Sequence, residues 1–238
     1  MPDLSIIIPA YNEKDRIIKT LESIKSYLSK QKYSWEVLIV YDGSIDNSKE
    51  KIAKIINDWE NFRIDGYKTN RGKGGAVKYG VEHSLGRYIL FMDADGSTNI
   101  SEFEKFRKYL KKYSIIIGSR YLKKGSIKLK QPFYRKLVAR LSNLIIRSIL
   151  WLPFKDTQCG FKLFQRDSAL KIFPKMTLNR WGFDFELLAI AKKYHFLTLE
   201  IAVDWYDDSD SRVKSSAIFK TFLDLFKVRW NLWTKKYK

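Results

Sequence analysis

Cysteine and histidine are scarce in this chain: among 238 residues there is one cysteine, Cys159, and there are two histidines, His83 and His195. A lone thiol excludes an internal disulfide and a cysteine-based zinc cluster, and points to a reducing compartment. Two isolated histidines make no metal site and read as surface or packing residues. Acidic residues are in deficit as well, with Lys and Arg numbering 45 against 26 for Asp and Glu, a net charge of +19. Such an excess either serves solubility or implies an acidic partner: nucleic acid, anionic lipid or a phosphorylated substrate. Long apolar runs are missing too. The longest candidate, Leu137 to Leu152, is broken by Arg140 and Arg147, whereas a membrane-spanning helix needs about 18 or more apolar residues. Met1-Pro2-Asp3 leads straight into a strand with no signal-peptide pattern. Any membrane contact is therefore expected to be peripheral. There is no internal repeat and no low-complexity tract. The expected organisation is one large domain over 1–214, including an amphipathic helix over 133–152, followed by a C-terminal appendage over 215–238.

What is present is a strand and helix alternation that begins at Leu4-Ser-Ile-Ile-Ile-Pro9, a short apolar run closed by proline. Asn12, with Asp15 at the capping-box position, is expected to cap a helix that buries Ile17, Leu21, Ile24 and Leu28. Trp35 to Val40 is a second strand and Asp46 to Trp59 a second helix. Phe62 to Tyr67 and Lys73 to Ser84 repeat the pair, and Tyr88 to Met92 is a further strand. Next come a helix over Ser101 to Lys111, a strand over Ser114 to Ser119, a strand or hairpin after Asp156, a helix ending near Tyr194, and a strand over Thr198 to Trp205. This order predicts an α/β fold with a mostly parallel, Rossmann-like sheet wound with helices, whose ligands bind outside the carboxyl ends of the strands.

Three strand ends carry chemistry to that edge: Pro9-Ala10-Tyr11-Asn12-Glu13, Asp42-Gly-Ser44 and Asp93-Ala94-Asp95. Two carboxylates one residue apart at a buried strand's exit are suited to a divalent cation bridging to a diphosphate, or form an ordinary acidic turn. Asn70-Arg-Gly-Lys73-Gly-Gly-Ala76 is a glycine-rich cationic turn opening a helix. Its N–H groups and Lys73 can hold a phosphate, or it is simply the turn the helix needs. It lacks the spacing of a Walker loop. Leu137, Leu141, Leu144, Ile145 and Ile149 stripe one face of the 133–152 helix, with Arg135, Lys136, Arg140 and Arg147 beside them. The C-terminal helix, Ala217 to Lys238, carries Phe219, Phe222, Phe226, Trp230 and Trp233 among lysines and arginines. Each of these basic amphipathic helices either lies in a membrane interface or packs on its own domain.

Taken together these motifs resemble the inverting family 2 glycosyltransferases with a GT-A fold, in particular the polyprenyl-phosphate branch that holds the dolichyl-phosphate β-glucosyltransferases and dolichol-phosphate mannose synthases. The residues that carry the resemblance span the chain: Pro9-Ala-Tyr-Asn-Glu13, Asn70 to Ala76, Asp93-Ala-Asp-Gly-Ser-Thr98, Asp156-Thr-Gln-Cys-Gly-Phe-Lys-Leu-Phe164, Arg180-Trp-Gly-Phe-Asp-Phe-Glu-Leu-Leu188 and Glu200-Ile-Ala-Val-Asp-Trp205. Tyr41 departs from it, standing where the family shows the first of two aspartates. The resemblance implies a nucleotide-sugar donor held by Pro9, Ala10, Tyr11, Glu13, Asp42, Lys73, Asp93, Ala94, Asp95, Gln158, Trp181 and Asp184, with Mg²⁺ or Mn²⁺ on Asp93 and Asp95. It places Asp95, Arg120 and Asp156 in catalysis. An acceptor phosphate is already anionic and needs cations rather than a strong base; Arg120, Arg135, Arg212 and Lys214 are the candidates. Asp156, Asp184 and Glu186 either orient sugar hydroxyls or brace the Trp181 loop.

The leading expectation is transfer of glucose from UDP-glucose to dolichyl or another polyprenyl phosphate at the cytoplasmic face of a membrane. In eukaryotic relatives a membrane anchor precedes this region; here the two amphipathic helices are expected to do the anchoring. The alternatives keep the chemistry and change the donor to GDP-mannose or the polyprenol to a bacterial one. A basic nucleic-acid-binding module is the remote alternative. It does not account for acidic residues at three strand ends, and no nucleic acid partner is expected.

Overall fold

Strands that are apolar on both faces must be covered on both faces, and helices supply the cover. A computed structural model describes residues 1–14, 16–128, 133–206 and 215–238, with backbone alone for 133–136 and 215–219. Its seven-stranded sheet comprises β1 (Leu4–Ala10), β2 (Trp35–Asp42), β3 (Phe62–Tyr67), β4 (Tyr88–Met92), β5 (Ile115–Ser119), β6 (Phe161–Gln165) and β7 (Thr198–Ala202). The spatial order is β3-β2-β1-β4-β6-β5-β7. Every pairing is parallel except those of β6, which runs antiparallel to both neighbours, with Leu90 opposite Leu163 and Ile116 opposite the same leucine.

The helices are α1 (Ile17–Leu28), α2 (Ser48–Ile56), α3 (Lys73–His83), α4 (Phe103–Arg107), α5 (Phe133–Leu150), α6 (Arg166–Ile172), α7 (Phe183–Lys193) and α8 (Ser215–Trp233). One core, under α1, α2 and α4, gathers Ile6, Ile8, Leu21, Ile24, Ile52, Phe103, Phe106 and Phe161. The opposite core, under α3, α6 and α7, gathers Ile7, Val40, Val77, Phe91, Phe164, Phe173, Phe183 and Phe185, and takes in Leu225, Val228 and Tyr237 from the C-terminal segment. The alternation of Ile6 and Ile8 against Ile7 along β1 is the strand pleat sending neighbours to opposite cores.

The observed elements follow the expected order, with local differences: α6 is an addition to the expected elements, α8 ends at Trp233 rather than Lys238, and three more bear on the site's surroundings. Asn12 does not cap α1: it sits at φ +56° and its Oδ1 accepts the Ile45 N–H at 3.0 Å, while α1 begins at Ile17 with no side-chain cap. Its short amide is used to clamp two strand-end loops together instead. Asp15 lies outside the described residues. The helix expected over Ser101 to Lys111 is a 3₁₀ turn, Ile100–Glu102, followed by the short α4, with Asn99 accepting the Ser101 N–H. The second helix starts at Ser48 rather than Asp46, whose Oδ1 accepts the Ser48 N–H at 3.2 Å.

Past α8, Tyr237 returns into the core, where its hydroxyl donates to Glu186 Oε1 at 2.7 Å and accepts from Asn231. Truncating a fully buried aromatic ring typically costs about 3–5 kcal/mol. Tyr237→Ala is therefore expected to lower the unfolding free energy by that amount in a urea titration.

Candidate functional site

The carboxyl edge of the sheet is built from short loops that hold one another. The Asn12 N–H donates to Ser44 Oγ at 3.0 Å, joining the β1 and β2 exits. Glu13 pairs with Arg16 through both oxygens, at 2.8 and 2.9 Å. Asp42 is buried at the end of β2, and its carboxylate accepts the Arg71 N–H at 2.7 Å, the Gly72 N–H at 3.0 Å and the Asn70 side-chain amide at 2.9 Å. Burial raises the Asp42 pKa, and the two backbone donors work against that rise. The glycine-lysine turn thus spends amides on Asp42, so these N–H groups are not open to a phosphate. Gly72, at φ +93°, lies where a Cβ would stand 2.6 Å from the Asn179 carbonyl oxygen. Its lack of a side chain lets α3 start against the 178–183 segment.

Asp93 and Asp95 follow β4. The Asp93 N–H donates to the Gly160 carbonyl at 3.1 Å, and its carboxylate presses on Gly160 so closely that a Cβ there would stand 2.0 Å from Oδ2. Lys73 Nζ lies 2.5 Å from Asp93 Oδ1, a close ion pair at the inner oxygen of that carboxylate. Asp95 Oδ1 accepts the Ser97 N–H at 2.9 Å, and Thr20 ties the loop down by donating to the Ala94 carbonyl at 2.8 Å. Burial first and the Asp93 charge second raise the Asp95 pKa. A buried acidic pair of this kind is relieved by a cation.

Around this corner stand further charges. Lys162, in the middle of β6 and fully buried, donates to Asp184 Oδ1 and, at 2.6 Å, to the Cys159 carbonyl. Burial opposes the Lys73 charge, yet Asp93 and Asp184 hold its pKa above the ordinary value. The Lys73 ammonium lies 5.5 Å from the half-exposed Trp181 ring. Glu186, by contrast, accepts from the Thr177 and Leu178 N–H groups and from Tyr237, which makes it a brace for the segment before Trp181. Arg120 donates through Nε and Nη2 to both oxygens of Asp156, at 2.7 and 2.9 Å. Glu200 accepts the Lys155 and Asp156 N–H groups, fixing that carboxylate from behind. Burial pushes the Cys159 thiol up to about 12, so it is packing, not a nucleophile.

Of the residues singled out from the sequence, Lys73, Asp93, Asp95, Trp181 and Asp184 form one neighbourhood. Pro9, Ala10, Tyr11, Glu13 and Asp42 line the adjoining strand exits, and Tyr11 is 40% exposed there. Gln158 donates its N–H to Asp156 at 3.3 Å. The Arg135 side chain, and Arg212 and Lys214 altogether, lie outside the described residues. Lys162, Gly160, Glu200 and Asn143 had no role assigned to them. Asn143 Oδ1 accepts from Thr157, holding the strand approach from α5. A lysine inside Phe161-Lys-Leu-Phe164 is the signal for the first: a charge in a buried strand needs a partner.

Comparison with known proteins adds kinship to this geometry. The description Glycosyl transferase family 2 matches residues 5–173. A dolichyl-phosphate beta-glucosyltransferase of Trichomonas vaginalis is 37% identical, covering 98% of this chain and 74% of that one. Its counterpart in Saccharomyces cerevisiae is 38% identical, covering 88% of this chain and 69% of that one. Among solved structures, glucosyl-3-phosphoglycerate synthase from Mycobacterium tuberculosis in complex with Mn²⁺ and uridine-diphosphate-glucose superposes with a TM-score of 0.68 at 16% identity, over 96% of this chain and 79% of that one. That likeness shows the fold, the GT-A form of the α/β class.

The Arg120 and Asp156 pair generates a stability prediction. Removing one partner of a buried ion pair costs about 3–5 kcal/mol, the loss expected for Asp156→Asn at neutral pH. Burial alone would raise the Asp156 pKa, but Arg120 holds it below the ordinary value. Its contribution is accordingly complete above the usual carboxylate range and is lost as pH falls through the lowered value. Denaturant titrations from pH 7 downward are expected to show the gap between the two proteins closing only in strong acid.

Proposed function

Because this chain belongs to glycosyl transferase family 2, matched over residues 5–173, we propose that it transfers glucose from UDP-glucose to dolichyl phosphate at a membrane surface, on the cytoplasmic face. The observation that carries this reading is the 37% identity to a dolichyl-phosphate beta-glucosyltransferase along 98% of the chain. The acidic corner and its surroundings give that reading a mechanism.

The residues present suit Mg²⁺ or Mn²⁺. Asp93 and Asp95 stand one residue apart at the exit of β4, and the Asp95 carboxylate is burdened by its neighbour's charge. Among the described residues no cluster of three or more His, Cys, Asp and Glu side chains could hold a metal. Two carboxylates with the remaining positions left to diphosphate and water is how Mg²⁺ is commonly held. When bound, the cation neutralises charge on the leaving nucleoside diphosphate.

Pro9, Ala10, Tyr11 and Glu13 shape the nucleoside end of the pocket. Asp42 acts there through the turn it fastens, and Lys73 faces the diphosphate. Trp181, Asp184 and Gln158 flank the sugar. The attacking atom is an oxygen of the acceptor phosphate, anionic at neutral pH. It forms the new bond to the anomeric carbon as the bond to the diphosphate breaks, with inversion. Arg120, held by Asp156 through Nε and Nη2, is assigned with Arg135, Arg212 and Lys214 to the acceptor phosphate. Glycolipid detection by mass spectrometry, with dolichyl phosphate, Mn²⁺ and either UDP-glucose or GDP-mannose, tests this. Glucosyl product is expected. Asp95→Ala is expected to reduce it at least about a hundredfold, the scale of one lost electrostatic contact in a transition state. Mannosyl product alone, or full activity in Asp95→Ala, contradicts the reading.

The acceptor's lipid tail calls for a membrane partner, and α5 with α8 supplies a surface for one. No helix among the described residues is long and apolar enough to cross a membrane. The two helices pack side by side, and Arg229 stacks over Trp151 at 4.2 Å where they meet. Outward they expose Leu137, Leu141, Leu144, Phe226, Trp230 and Trp233, the last at 73%. Exposed Arg140, Lys220 and Lys227 add positive charge. Apolar and aromatic groups beside cations match an anionic interface. Flotation with vesicles of phosphatidylcholine and phosphatidylserine is expected to carry the protein, and Trp230→Ser with Trp233→Ser is expected to weaken it severalfold. Undiminished flotation of that variant would contradict the α8 contact.

A further inference from the structure

The acidic corner has a cation of its own, the Lys73 ammonium. Lys73 is the first residue of α3, and its backbone has no freedom to follow a ligand. Asp42 holds the two preceding amides, and Gly72 is wedged against Asn179. The side chain is another matter. Its ammonium sits 2.5 Å from Asp93 Oδ1 and lies 5.5 Å and 5.9 Å from the Trp181 and Phe183 rings. A compact charge on a flexible four-carbon stem can leave such a contact by side-chain rotation alone.

Resting on the donor-site reading above, we propose that Lys73 is an interlock: it occupies the inner oxygen of the metal corner until a donor diphosphate draws its ammonium away, so that divalent cation and nucleoside diphosphate bind as a pair. The physical argument is exclusion. An ammonium 2.5 Å from Asp93 Oδ1 repels a divalent cation that would ligate the same carboxylate at about 2.0–2.6 Å. Moving the ammonium into solvent would strand the charges of Asp93 and Asp184, both of which favour it. A diphosphate offers a compensating anion on the spot. The turn's amides at Arg71 and Gly72 are committed to Asp42, and the Lys73 ammonium supplies a cation for that diphosphate. Asp184 stays behind with a counter-charge, because Lys162 remains bonded to it. Lys73 is on this account a positioning residue that couples two ligands.

The test uses the full chain and Mn²⁺ as the probe, followed by electron paramagnetic resonance, first alone and then with UDP. Wild type is expected to take up Mn²⁺ weakly alone. Lys73→Met is expected to bind Mn²⁺ alone at least about tenfold more tightly than wild type, since removing a cation at contact distance relieves strong repulsion, and to gain less from UDP than wild type gains. Lys19→Met is the control for general charge, because Lys19 lines a cavity of about 180 Å³ together with Asp95, and Asp93 is not among that cavity's lining residues; it is expected to match wild type. Lys73→Gln provides the same comparison should the methionine variant not fold. Mn²⁺ binding no tighter in the Lys73 variants, or equally tightened in Lys19→Met, overturns the interlock. Wild type that forms glucosyl lipid in the assay above while failing this test loses only the interlock. Wild type that forms none loses the donor-site reading itself.

Discussion

The carboxylate of Asp93 is held in a space with no slack, and the architecture of the sheet edge follows from that. On one side Gly160 has no side chain because one would overlap Oδ2; on the other the Lys73 ammonium touches Oδ1. Gly160 is set by β6, which the buried Lys162 fixes by bonding the Cys159 carbonyl and Asp184 together. Lys73 is set by the turn that Asp42 fastens. Acidic groups from β2, β4, the β6 approach and α7 are thereby brought to one edge, and each is answered differently: Asp42 by amides, Asp156 by Arg120, Asp184 by Lys162. Asp93 is answered by the Lys73 ammonium, while Asp95 beside it carries its charge against that of Asp93, a condition under which a divalent cation gains from binding.

Much of this was legible in the sequence because buried parallel strands read as unbroken apolar runs. Leu4 to Pro9, Trp35 to Val40 and Tyr88 to Met92 could be placed, and with them the residues at their carboxyl ends. Phe161 to Phe164 could be read as extended, but its antiparallel insertion between β4 and β5 is a matter of which neighbours it meets, which no local pattern encodes. The turn at Asn70 to Ala76 has the composition of a phosphate cradle. The Asn70 side-chain amide and the N–H groups of Arg71 and Gly72 are claimed by Asp42, 28 to 30 residues earlier in the chain. Asn12 likewise has the chemistry of a helix cap, and a neighbouring loop outcompeted the helix for its side chain. Long-range hydrogen bonds of this sort override local preference wherever loops converge.

The amphipathic helices show the reverse case, in which local pattern carries over directly. Leu137, Leu141, Leu144 and Ile145 form a stripe in the sequence and remain exposed in the fold, while Ile146 and Leu150 on the other side of α5 enter the core. On α8 the division is equally sharp, with Leu225 and Val228 inside and Phe226 and Trp230 outside. An exposed apolar face of this extent is what the proposed membrane contact would use. Its position beside the strap from Lys155 to Thr157, which Asn143 of α5 holds, links that surface to the Arg120 and Asp156 pair.

The central claim is that Asp93 and Asp95 form the metal corner of a nucleotide-sugar site guarded by Lys73. A crystal structure of the protein with UDP and Mn²⁺ tests it most directly. The account predicts Mn²⁺ bound by these aspartates and by the diphosphate, with the Lys73 ammonium moved off Asp93 and onto phosphate oxygens. Mn²⁺ bound away from both aspartates, or Lys73 still seated on Asp93 with the nucleotide in place, would contradict it.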